Sequence, residues 1–419
     1  MRKNRTFFCI YAIFFVPLRE IISTMNRKMI IGLWTVVLLL LFGCSEKNVP
    51  VATRQRGDVL KQEKVRELSI PEIRALVTDS VSDEYLRYPV NCYRLSYSSV
   101  YEGDSITTTA LMLLPDGAPD TSLCIYMHGT ILPIDELTAK QQMPSNFFNS
   151  TRPSGGEVAT CGLPLASSGF CVVMPDYIGY GTTKEKEHPF VYYPELHFAN
   201  IDALRALRNA LGLQNSKSLP VWLGGYSQGG GAALSLHYYI QKDYSTEFSV
   251  VSSSCLSGPY NYVGQIEGVL RENIPVPSVL ISWSAYVLNR FCVHRNPDQI
   301  FSFAVTDQVS AITNFNGKIK DIFRPYFIEN VLNGKDVEWI EASKRNSFHE
   351  GWTPQGRVFL HHGDKDNVVP YFNTLDAYNG LTAAGGNVTV FTYEGKEHTN
   401  VTPSYIKQTL RVWLNNVSD

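Results

Sequence analysis

Charged residues are scarce in this chain of 419 residues. They make up 18% of the sequence, whereas an average globular protein has roughly 25%. The two signs are nearly balanced, since 37 lysines and arginines stand against 39 aspartates and glutamates, and the formal net charge is -2. A protein built around nucleic acid needs a strong basic patch. The composition therefore argues against nucleic acid as a partner.

Paired cysteines and metal-binding spacings are also missing. None of the eight cysteines forms a Cys-x-x-Cys pair, which argues against a zinc or redox motif. Cys124, Cys171 and Cys255 lie in apolar runs and are expected to be buried thiols, while spacing leaves any disulfide partners open. Five histidines also lack metal-ligand spacing: His188, His197, His237, His294 and His349. We therefore expect no metal and no cofactor.

Apolar and aromatic residues are abundant instead. Hydrophobic residues make up 44% of the chain and aromatic residues 12%. This supply is enough for a sizeable core and excludes wholesale disorder. The length suggests two or three domains, or one large domain with insertions. Few charges and many aromatic side chains also suggest a surface that can accept an apolar ligand.

The N-terminal 43 residues have the parts of an export signal. A basic pair at residues 27–28 precedes an uncharged apolar run at residues 29–42, and the small residue Gly43 follows it. This order is typical of a secretory signal. A transmembrane anchor is the alternative, although the run is shorter than the ~20 residues that a spanning helix needs.

Residues 41–44, Leu-Phe-Gly-Cys, resemble a bacterial lipobox. The resemblance implies that Cys44 carries lipid and becomes the first mature residue. The protein would then be anchored to a lipid membrane in the bacterial cell envelope, outside the cytoplasm. Translation is expected to begin at Met25, directly before the basic pair, so that residues 1–43 contain the whole lipoprotein signal segment.

The rest of the chain divides by its hydrophobic pattern. Residues 44–87 are expected to form a tether and a lead-in, because their first part is polar and has no apolar period. From about residue 88, short β-rich runs alternate with helical spacing, which predicts an α/β fold with a mostly parallel sheet and helices on both faces. The predicted core comprises residues 88–257 and 352–419. An aromatic-rich interval of helical spacing, residues 258–351, is predicted to be a helical cap inserted late in the sheet.

One motif stands between a predicted strand and a predicted helix. Residues 225–229 read Gly-Tyr-Ser-Gln-Gly. In this context the pattern Gly-x-Ser-x-Gly places the serine on a strained turn, so that the hydroxyl of Ser227 projects from the sheet. Only glycine leaves room two residues before and after the serine. The helix that follows directs its N-terminal N–H groups toward developing negative charge.

Two later loops carry the partners that a serine nucleophile needs. A serine hydroxyl requires a base to take its proton, and the base requires a group that fixes its tautomer. Asp366 and His398 each lie on a loop that leaves a predicted strand. Asp364 is a rival for the acid, but the spacing of Asp366 from the preceding glycine favours Asp366.

The motifs around these residues resemble the α/β-hydrolase superfamily. Gly-Tyr-Ser-Gln-Gly is followed by His-Gly-x-x-Asp-x-x-Val-Pro at residues 362–370 and by Gly-x-x-His at residues 395–398. The resemblance extends from about residue 88 to the C-terminus. It implies that Ser227 is the nucleophile, His398 the base and Asp366 the orienting acid.

A narrower resemblance is to the secretory lipases, the group of fungal lipase A and its bacterial esterase relatives. It rests on Pro-Asp-Tyr-Ile-Gly-Tyr-Gly at residues 175–181, the following His-Pro at residues 188–189, and Asp202 with Arg-Ala at residues 205–206. The late position of the predicted cap agrees with the same group.

Two backbone N–H groups are needed to bind an oxyanion near the serine. One belongs to Gln228, directly after the nucleophile. The other is expected from residues 128–130, His-Gly-Thr, where the resemblance to the family's oxyanion loop favours Thr130. Gly129 permits close approach of the backbone, and His128 is expected to be structural rather than catalytic.

These residues predict a serine esterase or lipase. It would hydrolyse small-molecule carboxylic esters with an apolar or aromatic part through an acyl-enzyme. A serine peptidase of the prolyl oligopeptidase type uses the same three side chains and remains an alternative. A non-catalytic surface binding protein on the same scaffold is disfavoured, because the chain retains serine, aspartate, histidine and the His-Gly loop.

Overall fold

Nine strands form one sheet in the computed structural model, which describes residues 54–77, 81–119, 121–149, 156–271, 274, 276–315 and 317–415. The strands are β1 (Val59–Leu68), β2 (Val90–Tyr101), β3 (Asp104–Pro115), β4 (Ser122–Met127), β5 (Phe170–Pro175), β6 (Leu219–Tyr226), β7 (Phe248–Leu256), β8 (Arg357–Gly363) and β9 (Asn387–Tyr393). Their spatial order is β1-β2-β3-β5-β4-β6-β7-β8-β9.

The sheet is antiparallel at one side and parallel over the rest. The pairs β1–β2, β2–β3 and β3–β5 are antiparallel. The pairs from β5 and β4 through β6, β7 and β8 to β9 are all parallel. The predicted α/β class with a mostly parallel sheet is therefore confirmed.

Twelve α-helices accompany this sheet in the same described segments. They are α1 (Ile70–Val77), α2 (Glu136–Gln142), α3 (Leu163–Ser167), α4 (Tyr193–Ala210), α5 (Gln228–Asp243), α6 (Tyr262–Leu270), α7 (Ser278–Leu288), α8 (Gln308–Thr313), α9 (Pro325–Leu332), α10 (Val337–Arg345), α11 (Phe372–Ala383) and α12 (Thr402–Leu414). One π-helical turn, Val158–Gly162, leads into α3, and another, Asn289–Val293, follows α7. No helix in these segments combines the length and the apolar composition needed to cross a bilayer.

Alternate side chains of the central strands enter two separate hydrophobic clusters. Met112 of β3 packs in the cluster that contains α4 and α5, whereas Leu111 and Leu113 pack in the cluster that contains α1, α3 and α12. A strand covered on both faces reads as a continuous apolar run, which is why β4 and β5 were recognisable from sequence. The predicted helices on both faces are thus confirmed. Cys124, Cys171 and Cys255 are free and buried, as expected.

The segment expected to be a tether and a lead-in contains regular structure instead. Residues 59–68 form β1, which pairs along its length with β2, and α1 follows at once. The expectation is wrong for these residues. Most side chains of the edge strand β1 are exposed to solvent, so its sequence has no apolar run by which a strand could be recognised. The predicted signal segment at residues 1–43, the start at Met25 and the lipidated Cys44 lie outside the described residues.

A buried carboxylate fixes the start of β1 to the rest of the sheet. Asp202 of α4 is fully buried and accepts hydrogen bonds from the side chains of Arg56, at 3.0 Å, and Ser99, at 2.8 Å. Arg205, one turn later on α4, donates to the same carboxylate at 2.9 Å. The segment before β1, strand β2 and helix α4 are therefore held together by one buried carboxylate, whose charge the two arginines neutralise.

Five helices, α6 to α10, lie between β7 and β8, where the cap was predicted. Trp283 of α7 is fully buried and stacks on Phe190, with ring centroids 4.0 Å apart. Beyond the end of α7, the guanidinium of Arg290 donates to Glu187 at 2.9 Å and to Glu102 at 2.8 Å. These contacts join the helical region to the core, and residues 258–351 remain our proposed boundaries for the cap.

Replacing Asp202 by alanine should lower the free energy of unfolding by about 3 kcal/mol, because Arg56 would lose its carboxylate partner and Ser99 its buried acceptor, while Arg205 would keep Glu247. Urea unfolding followed by circular dichroism measures this change. The matched control is Glu63→Ala, since the partly exposed Glu63 pairs with the exposed Lys61 at 2.9 Å and only loosely with Arg94, at 3.8 Å. Equal stability of the two variants would contradict the structural role of Asp202.

Candidate active site

Ser227 lies on a sharp turn between β6 and α5. Its backbone has φ 57° and ψ -119°, a conformation that non-glycine residues rarely adopt and that surrounding structure must hold in place. The backbone N–H of Ser227 donates to the carbonyl oxygen of Leu256 at 2.8 Å. The turn is thus tied to β7, the neighbouring strand.

The two glycines of the motif face each other across this turn. A Cβ atom on Gly225 would collide with the carbonyl oxygen of Gly229, and one on Gly229 would collide with the carbonyl oxygen of Met127 in β4. Both obstacles are backbone atoms of packed elements and cannot move aside. The crowding predicted for this motif is therefore present.

The structure brings together the three side chains that the sequence placed far apart. The Nε2 atom of His398 is 2.9 Å from the Oγ atom of Ser227, and its Nδ1 atom is 2.7 Å from the Oδ2 atom of Asp366. Because a carboxylate can only accept, Nδ1 carries the ring hydrogen and Nε2 accepts from the serine hydroxyl. Ser227 is 7% exposed and His398 is 5% exposed, so bulk water barely reaches this chain of hydrogen bonds.

Asp366 is held as a carboxylate from two sides. Its Oδ1 atom accepts from the backbone N–H groups of Val368 and Val369, both at 2.9 Å. Burial favours a neutral Asp366, but hydrogen bonds from His362 and His398 outweigh that effect and hold its pKa well below the usual range. The rival, Asp364, instead accepts from the backbone of Gly395 at 2.7 Å.

His362 is a supporting residue, for which the sequence motif at residues 362–370 predicted no contact with the acid. Its Nε2 atom lies 2.9 Å from the carbonyl oxygen of Val369 and 3.2 Å from the Oδ2 atom of Asp366. Both are acceptors, so Nε2 carries the hydrogen and Nδ1 accepts from the hydroxyl of Thr374 at 2.7 Å. His362 therefore donates to the same carboxylate oxygen of Asp366 that accepts from His398. Its position four residues before Asp366 was the sequence feature that could have indicated this contact.

The two predicted oxyanion donors border the same cavity as Ser227. Thr130 and Gln228 both line it. The Nδ1 atom of His128 donates to the carbonyl oxygen of Gly129 at 2.7 Å. In a trans peptide the C=O and the following N–H point in opposite directions, so this bond also fixes the direction of the N–H of Thr130.

The side chain of Gln228 is held by a buried histidine. The amide NH₂ of Gln228 donates to Nε2 of His188 at 2.7 Å, while Nδ1 of His188 donates to the carbonyl oxygen of Ile178, also at 2.7 Å. Burial lowers the pKa of His188 to about 3, so the ring is neutral. The backbone N–H of His188 donates to Gln308 of α8 at 3.0 Å, which connects the turn to the proposed cap.

Glu157 lies beneath the loop that carries Thr130, and nothing in the sequence pattern marked it. Its Oε1 atom accepts from the backbone N–H of Gly129 at 2.7 Å, and its Oε2 atom accepts from the hydroxyl of Tyr126 at 2.8 Å. Burial raises the pKa of Glu157 to about 7, and these two hydrogen bonds only partly oppose the effect.

The cavity at Ser227 is small and mostly apolar. Its volume is about 30 Å³, room for about two water-sized groups. The apolar wall consists of Phe190, Val191, Pro259, Tyr262, Val276, Leu280, Val368 and Val369. A larger cavity of about 560 Å³, lined in part by Arg94, Lys140 and Lys184, includes none of the three converging side chains and therefore is a weaker candidate for the chemistry.

The raised pKa of Glu157 predicts a stability difference that depends on pH. Between its ordinary pKa of 4.5 and the folded value of about 7, the unfolded chain loses the proton first, so this group makes the wild-type protein less stable as pH rises. The penalty reaches at most about 3 kcal/mol and is complete above pH 7. Glu157→Gln removes the ionisation, so its stability relative to wild type should rise from pH 4.5 to pH 8.

Thermal unfolding of both proteins across this pH range measures the difference. The titratable neighbours of Glu157 are Tyr126, Tyr177, Tyr226 and Cys161, and burial raises the pKa of each. All four are therefore neutral in this range and contribute no competing change. A difference that stays constant with pH would show that Glu157 does not titrate in this way.

Comparisons with known proteins agree with this architecture. A family model described as "Secretory lipase" matches residues 157–273, a range that includes Ser227. No curated protein matches the chain in sequence.

Solved structures are similar over most of the chain. A protein from Legionella pneumophila has a TM-score of 0.71 at 20% identity, covering 85% of this chain and 97% of its own. The rice cell wall degrading esterase LipA from Xanthomonas oryzae has a TM-score of 0.70 at 22% identity, covering 86% and 99%. Candida antarctica lipase A has a TM-score of 0.57 at 17% identity, covering 83% and 78%.

At these identities the similar structures establish the fold, and the family match shows a resemblance to the secretory lipases over residues 157–273. Lipases hydrolyse carboxylic esters, so the family match supports ester hydrolysis as the class of reaction. The chain has the α/β-hydrolase fold and resembles the secretory lipases, as its motifs predicted.

Proposed function

We propose that the protein is a serine esterase that hydrolyses carboxylic esters through an acyl-enzyme. The observation that carries the proposal is the continuous hydrogen-bonded path from Ser227 through His398 to Asp366, with contacts of 2.9 and 2.7 Å. This arrangement activates a serine hydroxyl in unrelated folds. The agreement with the secretory lipase model supports the same chemistry.

The first half of the reaction acylates the serine. The Oγ atom of Ser227 attacks the ester carbonyl carbon, and Nε2 of His398 takes its proton. Asp366 stabilises the resulting imidazolium, because its carboxylate accepts the Nδ1 hydrogen throughout. His398 then donates the proton to the leaving alkoxide, which departs as the alcohol and leaves an ester on Ser227.

The second half restores the enzyme. Water loses a proton to His398 and attacks the acyl carbon, and the proton returns to Ser227 as the carboxylic acid leaves. Each half passes through a tetrahedral oxyanion. The backbone N–H groups of Gln228 and Thr130 are the proposed donors to it, helped by the N-terminus of α5.

The cavity beside Ser227 favours a short, apolar acyl group. About 30 Å³ accommodates the methyl or ethyl end of an acetyl or propionyl group, while a feruloyl group would require the wall to move. The wall residue Leu280 belongs to α7 and lies in the proposed cap. The cap therefore limits the acyl part of the substrate in this proposal.

Location outside the cytoplasm is part of the same proposal. The matching family is described as secretory, which supports export. Lipid at Cys44 would then hold the enzyme on the cell envelope, where it meets small ester substrates.

Replacing Ser227 by alanine should lower kcat for a p-nitrophenyl ester by on the order of 10⁶, because the unit loses its nucleophile. Ser249→Ala is the matched control, since Ser249 is an exposed serine at the start of β7. A fluorophosphonate should label the wild type and the control but not the Ser227 variant. Near-full ester hydrolysis without Ser227 would refute the proposed function.

Acyl length should separate the possible substrates. On p-nitrophenyl esters, kcat/KM should fall by ~10-fold or more from butyrate to laurate, because added methylenes exceed the cavity. Leu280→Ala should shift the optimum toward longer acyl groups, while the control Val279→Ala, one position along α7 and outside the cavity wall, should not. Rates that rise with length would contradict the size limit. Faster cleavage of aminoacyl-anilides than of any ester would point to a peptidase.

A further inference from the structure

We propose that Glu157 is a positioning residue, which holds the peptide of Gly129 so that the N–H of Thr130 faces the oxyanion. The inference rests on the proposed function, because it assigns a role in stabilising the tetrahedral oxyanion. Glu157 does not touch the reacting atoms, and its effect is transmitted through the backbone of residues 128–130.

The contact involves the backbone of the oxyanion loop itself. The Oε1 atom of Glu157 accepts from the N–H of Gly129 at 2.7 Å. A glycine backbone has wide conformational freedom, so Gly129 permits close approach but does not define the direction of its own peptides. A fixed acceptor at 2.7 Å supplies the direction that the residue type lacks.

Both peptide groups of Gly129 are restrained, from opposite ends. Glu157 binds the N–H on one side, and His128 donates to the C=O on the other at 2.7 Å. With both planes held, the two dihedral angles of Gly129 are set. The next N–H, that of Thr130, then points away from the C=O of Gly129 because the peptide is trans. This is how an oxyanion donor is oriented before substrate arrives.

The carboxylate is itself held in place by the core. The hydroxyl of Tyr126 in β4 donates to Oε2 at 2.8 Å, and Tyr126 is fully buried. Glu157 comes directly before the π-helical turn Val158–Gly162, which packs beside the sheet. A Cβ atom on Gly129 would lie 3.0 Å from the ring of Tyr226 and 3.2 Å from Oε1 of Glu157. The loop, the carboxylate and the residue before Ser227 thus form one packed unit.

A purely structural role explains the buried carboxylate poorly. Burial raises the pKa of Glu157, which means that ionising it lowers stability. Among the described residues no lysine or arginine forms an ion pair with it. Its two hydrogen-bond donors are the hydroxyl of Tyr126 and the backbone N–H of Gly129. The carboxylate therefore serves to orient the peptide of Gly129.

The test compares two neutral replacements of similar size. Glu157→Met removes the acceptor, and kcat for p-nitrophenyl acetate should fall by about 10-fold to 100-fold with KM changed less than ~3-fold, approaching the loss of one oxyanion donor. Glu157→Gln keeps an oxygen for the N–H of Gly129 and should retain kcat within ~3-fold. A trifluoromethyl ketone, whose adduct carries an oxyanion, should bind Glu157→Met more weakly by the same factor as the loss in kcat/KM.

Two further measurements separate loss of function from loss of folding. At pH 8, Glu157→Met loses a buried charge but leaves the Tyr126 hydroxyl and the Gly129 N–H without their acceptor, so its unfolding temperature should stay close to that of wild type. If that variant does not fold, Tyr126→Phe, which removes the hydroxyl holding Oε2, should still lower kcat and inhibitor affinity in parallel by ~3-fold. Equal kcat for wild type and Glu157→Met, or equal losses in the Met and Gln variants, overturns the inference. Activity without Ser227 overturns the proposed function instead.

Discussion

The left-handed backbone at Ser227 is the constraint on which the site depends. A residue with φ 57° between a strand and a helix persists only if packing on every side excludes the relaxed alternatives. β4 contributes the carbonyl oxygen of Met127, which packs against Gly229, and β7 contributes the carbonyl oxygen of Leu256, which accepts a hydrogen bond from the N–H of Ser227. The two glycines allow these elements to approach. The strain at the serine is therefore balanced by the central part of the sheet.

Parallel pairing explains why distant residues converge at that turn. Thr130, Ser227, Asp366 and His398 follow the carboxyl ends of β4, β6, β8 and β9, and these ends share one edge of the sheet. In open α/β sheets this edge is where ligands bind. The proposed cap is inserted between β7 and β8, at the same edge, so its helix α7 can border the cavity at Ser227. Topology thus brings Ser227, Asp366, His398 and helix α7 together, although they are far apart in sequence.

Residues with a short-range signature were predictable, and residues defined by distant contacts were not. The motif Gly-x-Ser-x-Gly was recognisable because the tight turn at the serine requires glycine on both sides. Buried strands such as β4 were recognisable by their continuous apolar runs. β1 was missed because most side chains of this edge strand are exposed to solvent. Its sequence is therefore as polar as that of a tether. Glu157 was missed for a different reason: its partners lie about 30 residues away along the chain, and a lone glutamate has no spacing to recognise. The sequence also cannot say which of two nearby aspartates turns toward His398, although the motif favoured Asp366.

Two buried carboxylates near Ser227 show how the surrounding hydrogen-bond donors set the pKa of a carboxyl group. Burial opposes ionisation of both Asp366 and Glu157. Asp366 receives side-chain hydrogen bonds from two histidines and two backbone N–H groups, and its pKa falls far below the usual range. Glu157 receives one tyrosine hydroxyl and one N–H, and its pKa rises to about 7. A permanent charge suits Asp366, which is proposed to stabilise an imidazolium in every catalytic cycle. Glu157, with a pKa of about 7, is partly protonated at neutral pH. On average it therefore places less negative charge than Asp366 beside the oxyanion that the loop is proposed to bind.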